Sequence, residues 1–247
     1  MFNFLNKNKT SKRNTSIGEV LKTDMHSHLL PGIDDGSPDI ETSLLLIRGL
    51  VNLGFTKLIT TPHIMNDMYP NTPTIISEKS EELRSAIEKA DIEVDLSAAA
   101  EYYIDEFFEE YIQSEKLLCV AGNKVLVEQS MMQEYPRFKE VMYELRLKGY
   151  TPIIAHPERY VYYYDKRHEF QWLKDAGCLL QVNILSLQGY YGKMERKLAE
   201  YLFKEQLVDL LGTDCHHERH LNRLNKFNEE SQVTVDPLLL KNKSLTV

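Results

Sequence analysis

YTPIIAHPER, residues 150–159, runs through apolar positions and stops abruptly at a histidine, a proline and a charged pair. A run of this length without polar alternation suits a strand covered on both faces, as in a parallel sheet. The unit recurs. KLITTPH, VDLSAAAE, KVLVEQS, CLLQVN and LVDLLGTD have the same character, and a short apolar entry leads into TDMHSH at 23–28. Between most of these runs the apolar period lengthens to three or four. Ile40, Leu44, Ile47 and Val51 mark one helix, with Ser37 as its cap, Pro38 in its first position and Gly54 at its end. Further helices are expected over about 74–90 behind Pro73, and over about 135–148, 165–176 and 190–205. About seven such units predict an α/β fold, a distorted seven-unit β/α barrel of the TIM-like kind. No Gly-rich dinucleotide fingerprint follows the first strand, which weighs against an open doubly wound sheet. Residues 17–247 read as a single domain, and residues 1–16, with Lys7, Lys9, Lys12 and Arg13, as a flexible basic tail.

A formal net charge of −8 argues against nucleic acid as a partner, because duplex binding needs a basic surface. A phosphorylated substrate needs only local positive charge, which metal ions and one or two arginines supply. Cys119, Cys178 and Cys215 fit neither a disulfide framework nor a C-x-x-C pair, which suits a reducing cytoplasm. No apolar stretch is long enough for a signal peptide or a transmembrane span.

The informative feature is where each apolar run stops. The ends are His26-Ser27-His28, His63, Glu101, Glu128, His156-Pro157-Glu158-Arg159, Asn183 and Asp214-Cys215-His216. In a β/α barrel these ends converge on one mouth. A single strand-end histidine or acid is ordinarily a surface residue or a cap. The ensemble is different, because so many carboxylates in a confined mouth repel one another and lose hydration unless cations are present. Imidazole with carboxylate suits Zn, Mn or Fe. His26 and His28, two apart on a strand, can face one ion, and Asp35 in the following loop can reach a second.

The ordered set D-M-H-S-H…D-D-G, T-P-H at 61–63, Glu101, Glu128, A-H-P-E-R at 155–159 and G-T-D-C-H at 212–216 resembles the polymerase and histidinol phosphatase (PHP) superfamily. Within it, HSHLLPGIDDG, IAHPERY and QVN resemble the bacterial manganese-dependent protein-tyrosine phosphatases of capsule and exopolysaccharide operons. The resemblance implies a PHP-type barrel holding three divalent metal ions, manganese being favoured and iron or zinc the alternatives. It implies His26, His28, Glu101 and Asp214 around one ion, Glu101, Glu128 and His156 around a second, and Asp35, His63 and His216 around the third. It also implies that Arg159 grips the substrate phosphate. A second arginine follows the last histidine in relatives, and Arg219, or failing it Arg223, is the candidate here. The implied partner is a phosphotyrosine protein, the tyrosine-rich tail of a bacterial kinase that controls polysaccharide export.

The reaction expected on this basis is metal-assisted hydrolysis of a phosphate monoester, with water activated by the cations and Arg159 making paired hydrogen bonds to phosphate. Phenolate leaves readily, so a strong general acid is not essential, though His216 can assist. A cysteine nucleophile in a C-x5-R loop is excluded, because Val125, Ile184 and Leu221 stand where its arginine would be. Cys215, between Asp214 and His216, points away from the ligands by strand alternation. The tyrosines at 160, 162, 163, 164, 190 and 191 fit equally a mouth that stacks on a phosphotyrosyl ring and a packing role. Two other readings stay open: a small-molecule phosphatase such as one acting on histidinol phosphate, and a metal-loaded scaffold that binds phosphotyrosine without turnover.

Overall fold

The computed structural model describes residues 15–230 and 240–245. Its strands are β1 (Thr23–Asp24), β2 (Lys57–Thr60), β3 (His63–Ile64), β4 (Asp95–Ala98), β5 (Glu101–Tyr103), β6 (Lys124–Glu128), β7 (Thr151–Ala155), β8 (Leu179–Asn183) and β9 (Leu210–Gly212). Every ladder between them is parallel, in the orders β1-β2-β4 and β3-β5-β6-β7-β8-β9. β2 with β3, and β4 with β5, are each one strand interrupted, at Thr61-Pro62 and at Ala99-Ala100. Pro62 has no N–H for the ladder; its carbonyl accepts from the Glu101 N–H at 3.1 Å, and pairing restarts with His63 opposite Glu101. His63 and Glu101, expected to end their runs, therefore open the restarted segments. The ring closes where Ser27 bridges Cys215: the Asp214 N–H donates to the His26 carbonyl at 2.8 Å, and the His28 N–H to that of Cys215 at 3.0 Å. The result is a closed, distorted parallel β/α barrel, as the recurring runs predict.

Strand alternation divides the interior into two layers. Leu126, Ile153, Leu179 and Leu210 fill an inner apolar plug together with Met25, Ile59 and Ala99. One pleat further along the same faces come Glu128, Ala155, Gln181 and Gly212, and then Asn183 and Asp214. The plug therefore supports a polar floor at the C-terminal mouth. Neighbouring positions such as Val125, Val127, Ile154, Leu180 and Leu211 point outward into the larger core under the helices.

The helices are α1 (Ile17–Leu21), α2 (Ile40–Asn52), α3 (Pro73–Lys89), α4 (Glu106–Ser114), α5 (Phe138–Leu147), α6 (His168–Asp175), α7 (Lys193–Lys204) and α8 (Glu218–Glu230). α2 is capped by Asp39, whose carboxylate accepts from the Thr42 N–H at 2.8 Å; Ser37 instead donates to the Asp39 carbonyl, and Pro38 precedes the cap. Its buried face is centred on Leu46, Ile47 and Leu50, with Ile40, Leu44 and Val51 at the margins. Of the expected basic tail, residues 1–14 lie outside the described residues. Ser16 caps α1 in a reciprocal capping box with Glu19. Among the described residues no helix is long and apolar enough to cross a membrane.

Candidate metal centre

All nine residues expected as ligands meet at the barrel mouth. Their donor atoms form four overlapping groups: His28, Asp35, His63 and His216; His26, His28 and Asp214; His26, Glu101 and His156; His63, Glu101 and Glu128. Glu101 is the hub. One of its oxygens lies 3.1 Å from His26 Nε2, 3.3 Å from His28 Nε2 and 3.3 Å from His63 Nδ1, and the other 3.1 Å from His156 Nε2. Relative to the division expected from the sequence, His28 also joins the Asp35–His63–His216 group, and Glu128 sits nearer His63 (3.0 Å) than His156 (3.8 Å). The centre is graded: His26, His28 and Glu101 are buried at its floor, His63 and His216 are half-buried, and Asp35 is exposed at the lip. His156 (φ 34°) and Asp214 (φ 51°) hold left-handed backbone, which costs a non-glycine residue about 1–2 kcal/mol and turns both side chains into the mouth.

Hydrogen-bond polarity tests whether cations fit. The Asp214 carboxylate accepts from Asn183 Nδ2 at 2.7 Å, which leaves Asn183 Oδ1 to accept from Gln181 Nε2 at 2.9 Å. Gln181 Oε1 therefore faces His26 Nδ1, 2.8 Å away, and makes that nitrogen the donor. The Asp34 carboxylate does the same to His28 Nδ1 at 2.7 Å. Both Nε2 atoms are left as lone pairs, 3.3 Å from each other and aimed at carboxylate oxygens. Only a shared proton or a cation reconciles such a set. Donors held about 2.1 Å from one ion stand roughly 3.0–3.4 Å apart, which is the spacing found here. Moreover, among the described residues His63 Nδ1, His156 Nδ1 and Glu101 Oε1 are buried without a well-aligned hydrogen bond, and His63 Nδ1 and Glu101 Oε1 lie close to other ligand atoms. The residues fit divalent cations.

Gly212 keeps this relay open, since a Cβ there would lie 2.7 Å from His26 Cβ and 2.8 Å from Gln181 Nε2. Replacing Gln181 with Met keeps its length but removes the acceptor that orients His26. Metal affinity is expected to weaken by about 10–100-fold, read by elemental analysis after dialysis against limiting metal; unchanged stoichiometry would refute the relay.

The electrostatics match. Burial lowers the tendency of His26, His28 and His63 to protonate, yet the facing carboxylates raise all three pKa values, that of His63 to about 9. Burial works against ionised Glu101 and Asp214, yet the surrounding imidazoles hold both well below the carboxylate range. Asp35 is partly desolvated, but His216 and His63 bring it down to about 2. Protons on the imidazoles are thus the counter-charge that cations would replace.

Arg159 reaches a cavity of about 320 Å³ lined by Asp35, His63, Glu101, Glu128, His156, Asp214 and His216, with His26 and His28 buried beneath it. Its Nη1 donates to Asp214 Oδ2 at 3.2 Å, and its guanidinium lies 4.3 Å from the centre of the Tyr191 ring. Arg219 and Arg223 line a neighbouring groove instead. The tyrosines divide: Tyr160 and Tyr163 are buried, while Tyr191 lines the cavity. Cys215 is buried in the core that faces the helices. The sequence reading assigned no role to Gln181, Asp34 or His220, although Asp34 lies in the D-D-G stretch and Gln181 in QVN. His220 accepts from the His216 N–H at 3.2 Å, and burial lowers its pKa to about 3, so it stays neutral.

Known proteins share this fold and part of this sequence. The tyrosine-protein phosphatase YwqE of Bacillus subtilis is 30% identical over 81% of this chain and 79% of its own length. A solved chain from the crystal structures of YwqE from Bacillus subtilis and CpsB from Streptococcus pneumoniae, described as unique metal-dependent tyrosine phosphatases, matches with a TM-score of 0.79. It is 27% identical, over 90% of this chain and 93% of that one. The lactonase Lmo2620 from Listeria monocytogenes shares the fold alone, with a TM-score of 0.51 at 11% identity over 88% of this chain and 86% of that one. Residues 22–234 match the family model for capsular polysaccharide synthesis, CpsB/CapC, and the chain belongs to that family.

Proposed function

We propose that this chain is a metal-dependent tyrosine-protein phosphatase of capsular polysaccharide synthesis. The observation that carries the reading is the nine-donor centre with one arginine at its lip, in a barrel like that of the YwqE and CpsB phosphatases. The nine residues would hold divalent cations, which would supply the positive charge that lowers the pKa of a bound water and offsets charge on the phosphoryl oxygens. Arg159, always charged and planar, offers two parallel N–H groups to the phosphate. The Tyr191 ring and the Asp214 carboxylate, 4.3 Å and 3.2 Å from the guanidinium, position it. The His216 Nδ1–H points at the Asp214 carbonyl, 2.9 Å away, so its Nε2 faces the cavity as a lone pair and serves better as a ligand than as an acid. A departing phenolate has little need of one.

We favour three ions, as the family resemblance implies, for donors that fall into four overlapping groups; the mixture of imidazole and carboxylate suits manganese, with iron or zinc as the alternatives. The substrate we favour is the phosphotyrosine-bearing tail of a bacterial tyrosine kinase, met in the cytoplasm. The test is hydrolysis of a phosphotyrosine peptide, histidinol phosphate and a phosphodiester, with manganese and with chelator. Selective turnover of the peptide, lost on chelation, is expected. Equal or better turnover of histidinol phosphate would move the enzyme to small molecules, and no turnover by the metallated protein would make it a scaffold. Replacing Arg159 with Lys keeps the charge but loses the fork. It is expected to lower kcat/KM by about 10²-fold with metal content unchanged, which separates a phosphate contact from a ligand defect.

A further inference from the structure

α8 places Arg219, Arg223 and Lys226 along one exposed stripe, at spacings of four and three residues. They line a groove of about 780 Å³ together with Arg196, Tyr190 and Phe227. Four cations in one groove are notable on a chain of net charge −8. Arg196 is engaged by Glu200 at 2.9 Å, but among the described residues no ion pair joins Arg219 or Arg223 to a carboxylate. The groove adjoins the metal cavity. Tyr190, in the groove, packs edge-on against Tyr191, in the cavity, with ring centres 5.0 Å apart; His220 touches both rings from α8. The Arg223 guanidinium stands 6.0 Å from the Tyr190 ring centre. The ridge thus gives a peptide whose phosphotyrosine enters the cavity a direct path into the groove, each extended residue advancing it by about 3.3 Å.

We propose that the groove is a second anion subsite, which takes negatively charged groups flanking the phosphotyrosine on the same peptide. The inference rests on the phosphatase reading. Arginine forks accept carboxylate and phosphate alike, so flanking glutamates and a second phosphotyrosine share the chemistry. The metal-loaded enzyme is compared with an R223E/K226E variant on four substrates: phosphotyrosine itself, a neutral phosphopeptide, a glutamate-flanked phosphopeptide and a doubly phosphorylated peptide. The variant is expected to raise KM about tenfold for either or both anionic peptides, with kcat and the rates on phosphotyrosine and the neutral peptide within twofold. The peptide that responds identifies the anion. The wild-type preference is expected to shrink as salt rises, since charges this exposed are screened within about 10 Å at 0.1 M. Equal kcat/KM for neutral and anionic peptides in the wild type would overturn the subsite while leaving the phosphatase intact, whereas failure on all four substrates would overturn the phosphatase reading. A variant impaired equally on all four would show that the stripe serves the barrel rather than the flank. Loss of binding to anionic phospholipid vesicles, without any peptide effect, would assign the groove to a membrane surface and end the proposal.

Discussion

Glu101→Gln is expected to lower kcat on a phosphotyrosine peptide by on the order of 10³-fold, equivalent to about 4 kcal/mol of barrier, while the barrel stays folded. The carboxylate is fully buried, and its two oxygens stand 3.1–3.3 Å from nitrogens of His26, His28, His63 and His156. Glutamine occupies nearly the same volume, so the plug beneath is not disturbed. It exchanges one charged oxygen for an NH₂ group that donates, and a donor aimed at converging lone pairs repels any cation they hold. Metal stoichiometry should therefore fall together with turnover, in contrast to Arg159→Lys, which should lose turnover alone. Elemental analysis of both variants against the wild type checks this. Full metal content in E101Q at wild-type turnover would remove Glu101 from the centre and with it the division of donors drawn around it.

The barrel was legible in the recurring apolar runs, and the gathering of imidazoles and carboxylates at its mouth in the polar residues near their ends, whereas Asp35 lies in a loop and the nine-residue set followed only from the family resemblance. Most of what escaped depends on geometry that no local pattern expresses. Thr61-Pro62 and Ala99-Ala100 look like strand, and only the restarted pairing of His63 with Glu101 shows the interruptions. Asp34 and Asp35 are adjacent and chemically alike; the loop turns Asp34 inward onto His28 and leaves Asp35 at the lip. Gln181 did leave a signal, as the polar residue inside CLLQVN two positions before Asn183 and so on the same face. The alternation was available there and went unused. For Arg219, the helical spacing with Arg223 was visible in the sequence, but which cavity that stripe faces depends on how α8 lies against the Tyr190–Tyr191 ridge. Asp39 displaced Ser37 as the α2 cap for a similar reason, since Ser37 is drawn into hydrogen bonds with Ser43 and the Asp39 carbonyl.

Stripped of metal, the protein is expected to lose stability as pH rises from about 6 to 9, and metal loading should abolish that loss. His63 carries the clearest part. Burial opposes its charge, but Glu128 and Glu101 raise its folded pKa from 6.5 to about 9. A group whose pKa is higher in the folded state contributes stability that is full below its unfolded pKa and disappears as pH rises through the folded one. The window is therefore about 6.5–9, and a shift of this size corresponds to roughly 3 kcal/mol, or on the order of 10 °C in melting temperature for a chain of this length. His26 and His28, whose pKa values are also raised, push in the same direction. Glu101 and Asp214, with lowered pKa values, contribute in the opposite range: their share is present above the ordinary carboxylate pKa and is lost as pH falls. The metal-free protein should thus be most stable between about pH 5 and 6.5. Cations take over the role of these protons and bind more tightly as pH rises, so the loaded form should hold or gain stability across the same interval. Thermal unfolding followed by circular dichroism at pH 6, 7, 8 and 9, with and without manganese, measures both curves. His63→Gln should flatten part of the metal-free slope. A stripped protein whose melting temperature stayed level or climbed toward pH 9 would mean that the imidazoles and carboxylates at the mouth are not charged against one another as their spacing requires.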